Sequence, residues 1–123
     1  ATGGDLTPSG HWPEPFIAVE PNAGPVMILI EYRIAPDRVS AFLSVLRQFM
    51  PVRRRDGAMA WTAWEDAATP GLVVETFVVE SWLEHRRQHD RATHDDQIAQ
   101  DALRAWHLGP EPPLVRHLVS GGR

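Results

Sequence analysis

The chain lacks cysteine and lysine altogether. Without cysteine it can form no disulfide, no thiolate-bound metal site and no cysteine nucleophile. All 12 basic residues are arginine, and 16 acidic residues bring the formal net charge to −4. Because a nucleic-acid-binding surface has to be basic to neutralise phosphates, this balance argues against a nucleic-acid partner.

A long apolar run is also missing. The longest, Val26–Ile30, falls far short of the ~20 residues that cross a bilayer. The opening residues, ATGGDLTPSG, have neither the charged start nor the apolar stretch of a signal peptide. We therefore expect no membrane insertion by this chain itself, with the cytoplasm as its default location.

The composition divides the chain into two parts. Residues 1–24 contain four prolines and four glycines without periodicity, which predicts an arm or linker. Residues 25–120 are predicted to form one domain, a length that suits one modest core. The predicted strands are 26–34, 58–65, 72–80 and 114–119.

Apolar residues at helical spacing predict one helix from Pro36 to about Met50, where Pro51 should kink or end it. A second helical region begins after Ser81, breaks near Ala92 and stops at Gly109. The resulting β-α-β-β-α-β order predicts an α+β fold of the ferredoxin-like type, a four-stranded antiparallel sheet with its helices on one face.

The other face of such a sheet would stay bare. We therefore predict a homodimer that covers residues such as Leu29, Val115 and one tryptophan of the second strand. Strict alternation in that strand predicts two opposite sets: Met59, Trp61 and Ala63 on one face, and Ala60, Thr62 and Trp64 on the other.

Four segments, GPVMILIEYRI, RRRDGA, VETFVVESWLEHRRQHDRAT and VRHLV, resemble a known family. They look like the soluble C-terminal domain of bacterial major-facilitator exporters classed as transmembrane secretion effectors. DLTPSGHWPEP looks like the linker from the last membrane helix. Since that domain is similar to the antibiotic-biosynthesis-monooxygenase superfamily, the resemblance implies a dimeric α/β barrel and a transporter portion of the same gene product as partner.

The resemblance does not bring a catalytic mechanism with it. Superfamily oxygenases that work without metal or flavin typically use an asparagine on the first strand and a tryptophan on the third, and haem-degrading relatives add a histidine from the next helix. Here Val26–Ile34 contains no asparagine and Leu72–Glu80 contains no tryptophan. Of that set, only the helical histidines remain.

Those histidines, His85 and His89, stand four residues apart, a spacing that can hold a metal on one helical face. The glutamate of the zinc-protease HExxH pattern is absent, and Arg86 and Arg87 repel a cation. We interpret the segment as a helix capped by Ser81 whose histidines lie on a solvated, partly exposed face. We expect no metal and no other cofactor.

Three ionisable residues, Glu31, Glu75 and His117, lie inside apolar strands. Each should meet an arginine, a histidine or water, because an unpaired buried charge is costly, and Arg33 and Arg116 are natural partners. An ion-pair network across the inner sheet or the dimer interface and a catalytic acid or base both remain open.

Trp61 and Trp64 should divide between the core and an interface or aromatic ligand. The run Arg53–Arg55 is interpreted as a solvated helix end. The candidate ligand-binding residues are Trp61, Trp64, Glu75, His85, His89 and His117.

Two functions fit these features. The first is a non-catalytic accessory domain that dimerises and senses cargo, as the cytoplasmic part of an inner-membrane exporter. The second is a small cofactor-independent monooxygenase that acts on a polycyclic aromatic metabolite. Whether the chain is an enzyme stays open at the level of the sequence.

Overall fold

A computed structural model describes residues 20, 22–91 and 94–120, with the side chains in those ranges except 88–91 and 94–96. A short 3₁₀ turn, Pro36–Arg38, leads into the first helix. The elements, in chain order, are β1 (Val26–Arg33), α1 (Val39–Arg47), α2 (Met50–Arg55), β2 (Met59–Glu65), β3 (Leu72–Val79), α3 (Trp82–Arg91), α4 (His94–Arg104) and β4 (Leu114–Val119).

The strands form one antiparallel sheet in the order β2-β3-β1-β4. Ile30 of β1 lies opposite Glu75 of β3, and Ile28 lies opposite His117 of β4. Gly71 closes the β2–β3 hairpin at a φ of 87°, and a Cβ atom there would collide with the carbonyl oxygen of Ile34. The predicted ferredoxin-like α+β fold is therefore confirmed.

The two faces of the sheet differ as the alternation in β1 predicts. Every second side chain of β1 is buried beneath the helices, where it packs with Phe42 and Leu46 of α1 and Leu103 of α4. Tyr32 contacts Phe42 at a ring-centroid distance of 5.0 Å, and Phe42 contacts Trp106 at 5.8 Å. The core thus lies between one sheet face and the helices, and no described helix covers the opposite face, called here the open face.

Pro51 divides the first helical region as predicted. The backbone N–H of Gln48 donates to Val45 and that of Phe49 to Leu46, so the last turn of α1 tightens to i→i−3 bonds. Pro51 then occupies the first turn of α2, where its missing N–H costs nothing. Arg53 lies in α2, the short helix after this break, and its side chain reaches the sheet.

A β-bulge in β2 overturns the predicted alternation at one residue. Met59 pairs with Val78 and Thr62 with Thr76, so three steps along β2 match two along β3. Ala60 supplies the extra residue with a φ of 52°. The bulge moves Met59 from the helix-covered face, where strict alternation would put it, to the open face, where it is exposed.

Two further expectations are corrected. Val115 lies opposite Ile30 and packs against the core, so it belongs to the helix-covered face rather than the open face. Helix α4 ends at Arg104 instead of Gly109, because residues 107 and 108 form hydrogen bonds with β1. The N–H of Arg33 donates to His107 Nδ1 at 2.9 Å, and the N–H of Leu108 donates to the Arg33 carbonyl at 2.7 Å.

Among the described residues, no helix is both long and apolar enough to cross a membrane.

We expect Ala60→Gly to stabilise the protein. The left-handed conformation of Ala60 costs an L-residue on the order of 1 kcal/mol, which glycine avoids. Urea unfolding followed by circular dichroism should show a rise of about that size in the free energy of unfolding. Ala63→Gly, in the same strand with ordinary extended backbone, is the control and should lower it by ~0.5–1 kcal/mol. Equal losses in both variants would contradict the assigned bulge.

Candidate functional site

A buried carboxylate, Glu75, lies at the centre of the helix-covered face. Its side chain has no exposed surface, and three side chains from three elements converge on it. Arg53 donates from Nε to Oε2 at 2.8 Å and from Nη2 to Oε1 at 3.1 Å. The Tyr32 hydroxyl donates to Oε1 at 3.0 Å, and the Trp61 indole N–H donates to Oε2 at 2.9 Å. Each carboxylate oxygen therefore accepts two hydrogen bonds; we call these four residues the Glu75 cluster.

The charges in this cluster reinforce one another. Burial on its own would raise the pKa of Glu75, but the charge of Arg53 and the hydrogen bonds from Arg53, Trp61 and Tyr32 hold that pKa below its ordinary value. Burial and the charge of Glu75 raise the pKa of Tyr32 well above 10.0. At neutral pH, Glu75 is ionised, Arg53 is charged and Tyr32 keeps its proton.

Arg53 is the residue that sequence reasoning missed. The prediction of a solvated helix end holds for Arg54 and Arg55, which are exposed, but it is wrong for Arg53. Its guanidinium lies 5.0 Å from the ring centroid of Phe77. With its amide oxygen turned toward Arg53, Gln100 accepts from Nη2 at 3.2 Å. Arg53 thus links α2, β3 and α4 through one charged group.

A second group, the imidazole cluster, consists of Trp82, His85 and His117. The rings of His85 and His117 lie 4.7 Å apart between centroids, and those of Trp82 and His85 lie 5.3 Å apart. Trp82 meets His117 edge-on at 6.0 Å. His85 is only 4% exposed, which corrects its predicted place on a solvated face, whereas Arg86 and Arg87 are exposed as expected.

The structure sorts the six sequence-predicted residues into separate places. Trp61 and Glu75 meet in one cluster, and His85 and His117 meet in another. Trp64 lies on the open face, 55% exposed, with its indole N–H donating to Thr76 Oγ1 at 2.9 Å. His89 belongs to α3, but its side chain lies outside the described residues.

The predicted pairing with Arg33 or Arg116 is confirmed for Glu31 and wrong for Glu75. Arg116 pairs with Glu31 at 3.7 Å on the open face. Glu75 pairs with Arg53 instead of Arg33 or Arg116, because both of those arginines lie on the opposite face of the sheet from Glu75.

A groove of about 600 Å³ borders the open face where β1 and β4 meet the 107–113 loop. Its lining includes Glu31 and Arg33 of β1 and Leu108, Pro110 and Pro113 of the loop. His107 holds the loop in place, and burial lowers the pKa of its imidazole, so the neutral ring is favoured. Among the described residues, no three histidine or carboxylate side chains converge as a metal site would require.

The sheet order and the helices on one face define an α+β, ferredoxin-like protein with the fold of the antibiotic biosynthesis monooxygenases. A candidate monooxygenase of this type from Caulobacter crescentus has a TM-score of 0.65 and 13% identity, covering 80% of this chain and 92% of that one. A variant of SnoaB, a cofactor-independent oxygenase from Streptomyces nogalater, has a TM-score of 0.58 and 19% identity, covering 80% and 92%. A second candidate monooxygenase, from Bordetella bronchiseptica, has a TM-score of 0.63 and 19% identity, covering 76% and 94%.

The sequence shows the family of the chain as well as its fold. The family model for transmembrane secretion effectors matches residues 1–123, and the chain belongs to that family. No curated protein matches the chain. At identities of 13–19%, the solved structures establish the fold alone.

We expect Arg53→Met to destabilise the protein by about 3–5 kcal/mol, because it leaves the ionised Glu75 buried without its counter-charge. The double variant Arg53→Met, Glu75→Leu should be more stable than the single one, since both charges are then gone. Full recovery is not expected, because Tyr32 and Trp61 lose their acceptor. Urea unfolding of the three proteins measures each difference.

The same proteins carry a pH signature. Because the folded-state pKa of Glu75 is lowered, its contribution to stability is present above its ordinary value of 4.5 and is lost as the pH falls below it. The wild type should lose stability in that range more steeply than the double variant. Parallel pH curves for the two would contradict the role of the pair.

Proposed function

We propose that the chain is a non-catalytic accessory domain of a bacterial major-facilitator exporter, which dimerises and senses the exported molecule. The observation that carries this proposal is the saturation of Glu75. A general base has to accept a proton from its substrate and works best with a pKa near the operating pH. Glu75 instead has both oxygens filled by protein donors and a pKa held low, so it is poised to hold a structure together.

Membership of the transmembrane secretion effector family supports the link to export. In the proposed arrangement this domain works beside a membrane-embedded transporter portion, on the cytoplasmic side. The domain would supply a binding surface and a dimer contact, while the transporter portion would supply the path across the membrane. No cofactor enters this function.

A second copy of the chain is the proposed partner for the open face. Trp64, Met59, Leu114 and Leu118 are large apolar side chains exposed on it. The Trp64 indole N–H already donates to Thr76, so an apolar ring surface is left to pack against a partner. The Glu31–Arg116 pair lies on the same face and can exchange partners across a two-fold axis.

The alternative is a cofactor-independent monooxygenase acting on an aromatic metabolite. Its support is the fold shared with SnoaB, together with the buried His85, which contacts the half-buried His117 beside the indole ring of Trp82. Histidine is the side chain best suited to proton transfer near neutral pH. Against it stands the absence from the first and third strands of the asparagine and tryptophan expected for such oxygenases.

We expect the purified protein to consume no oxygen above the buffer blank when given anthrone-like or quinol substrates, measured with an oxygen electrode. The reason is that Glu75 is not available as a base. A His85→Phe variant serves as the matched control. Consumption by the wild type that the variant loses would replace the accessory function with the monooxygenase.

We expect a homodimer in solution, and Trp64→Arg should convert it to a monomer because a charge would be buried in the contact. Sedimentation velocity at micromolar concentration measures both, with circular dichroism to confirm that the variant is folded. Ser44→Arg, on the exposed side of α1, is the control and should stay dimeric. A monomeric wild type, or a dimeric Trp64→Arg protein, would rule out this interface.

A further inference from the structure

The 107–113 loop takes the place of a strand beside the end of β1. Strand β4 pairs with β1 only as far as Glu31, so it does not reach Arg33. The backbone N–H of Arg33 donates instead to His107 Nδ1 at 2.9 Å, and its carbonyl oxygen accepts from the N–H of Leu108 at 2.7 Å. A side chain and a neighbouring amide thus satisfy the two backbone groups that β4 leaves unpaired.

These two contacts are the hydrogen-bonded attachment of the loop. Residues 110, 112 and 113 are prolines, which have no backbone N–H to donate. Among the described residues, the hydrogen bonds that join the loop to the sheet are those to Arg33. Pro113 is buried and fixes the far end of the loop next to β4. The attachment of the near end therefore depends on His107 and Leu108.

This attachment requires a neutral imidazole. Because an N–H group can only donate, Nδ1 of His107 is unprotonated and the single ring proton lies on Nε2. Protonation puts a hydrogen on both nitrogens, so Nδ1 would then face the N–H of Arg33 donor to donor. One hydrogen bond is lost, and the bond from Leu108, the next residue, is weakened with it.

The groups in contact with the ring favour its neutral form. Burial lowers the pKa of His107, and the charges of Arg33 and Arg104 lower it further, whereas a hydrogen bond with the backbone of Glu111 raises it. A protonated ring would be a third positive charge beside two arginines.

The other charged groups on the neighbouring elements are paired with an arginine, stacked on an indole or exposed to solvent. They are Glu31 with Arg116 at 3.7 Å, Asp101 with Arg104 at 3.8 Å, Arg38 over Trp106 at 4.3 Å, and the exposed Asp37 and Glu111. None of these carboxylates raises the pKa of His107 through its charge.

We infer that His107 is an acid-sensitive attachment, which holds the 107–113 loop on β1 while its ring is neutral and lets the loop come away when the ring is protonated. The groove of about 600 Å³ is lined by this loop together with Glu31 and Arg33. Its shape is therefore kept at neutral pH and lost on acidification. The inference is independent of the proposed function, since it concerns the loop whether or not the domain senses an exported molecule.

The direction of the pH effect follows from the lowered pKa. The ring of a released loop has the ordinary pKa of 6.5, so between pH 6.5 and the lower pKa of the attached ring the released form binds more protons. Attachment is therefore strongest above pH 6.5 and weakens, by at most about tenfold per pH unit for one proton, as the pH falls below it. Glu75 acts in a lower range, because its pKa is held below 4.5.

Amide hydrogen exchange of Arg33 and Leu108, corrected for intrinsic exchange at each pH, measures the attachment. We expect the protection of both amides to fall by about threefold or more between pH 7.5 and 5. The amide of Ile34 is the internal control and should keep its protection, because it donates at 2.8 Å to the carbonyl of Gly71, which does not titrate. Constant protection at Arg33 and Leu108, or a parallel loss at Ile34, would overturn the inference.

NMR of the ring nitrogens tests the same point without a variant. The wild-type protein should show His107 protonated on Nε2 alone at pH 7.5, with a titration midpoint below 6.5. The loss of Leu108 protection should follow that titration. A ring protonated on Nδ1 at pH 7.5, or a loss of protection in a different pH range, would contradict the attachment.

Two variants identify the group responsible. His107→Asn keeps a side-chain oxygen that can accept from the N–H of Arg33 but does not titrate, so loop protection should be the same at both pH values. His107→Ala has no acceptor and should show low protection already at pH 7.5. His117→Gln removes a different histidine and is the matched control, which should keep the wild-type pH dependence. A pH dependence that survives in His107→Asn, or that is lost in His117→Gln, would overturn the inference.

Discussion

The ion pair between Glu75 and Arg53 is the constraint on which the rest of the interior depends. A carboxylate with no exposed surface at the centre of a sheet has to be neutralised by a partner that reaches it inside the protein. The partner comes from α2, which exists as a separate turn only because Pro51 interrupts the first helical region. The position of α2, and with it the closure of the helical layer over β3, follows from that one requirement.

The pair imposes geometry more than it adds stability. Taking both charges out of water costs nearly as much as their attraction returns, so apolar side chains of similar volume would serve as well energetically. What apolar side chains would not fix is direction. The bidentate contact, the Tyr32 hydroxyl and the Trp61 indole orient three elements toward one carboxylate. The bulge at Ala60 belongs to the same arrangement, since Trp61 is the next residue along β2.

The sequence predicts the fold well and the site only in part, for physical reasons. Period-two alternation in β1 and the Pro51 break are local signals, and both are confirmed. The bulge at Ala60 has no glycine to mark it, so strict alternation misplaces Met59. Arg53 pairs with a residue 22 positions away, and an arginine run at a helix end gives no sign of which member turns inward.

The burial of His85 escapes sequence-based prediction for a related reason. The segment around it is so polar that the helical pattern leaves no apolar stripe to mark the docking face, and the contact that buries His85 comes from His117 on the last strand. The sequence around His85 would have the same pattern if this face of α3 were exposed to solvent. Only the strand order, which brings β4 beside β1 beneath α3, distinguishes the two.

The Glu75 cluster and the imidazole cluster contain side chains that differ in how readily they change charge near neutral pH. The Glu75 cluster holds its charges fixed across the neutral range: burial opposes the charge of Glu75, but Arg53 and the hydrogen bonds outweigh it, and burial with the charge of Glu75 keeps Tyr32 protonated. Such a group anchors structure and is poorly suited to exchange protons with a bound molecule. Imidazoles, by contrast, change charge close to physiological pH, and here they lie where a helix meets the sheet. The two clusters therefore lie in different parts of the interior: the Glu75 cluster joins α2 to strands β1, β2 and β3, and the imidazole cluster joins α3 to β4.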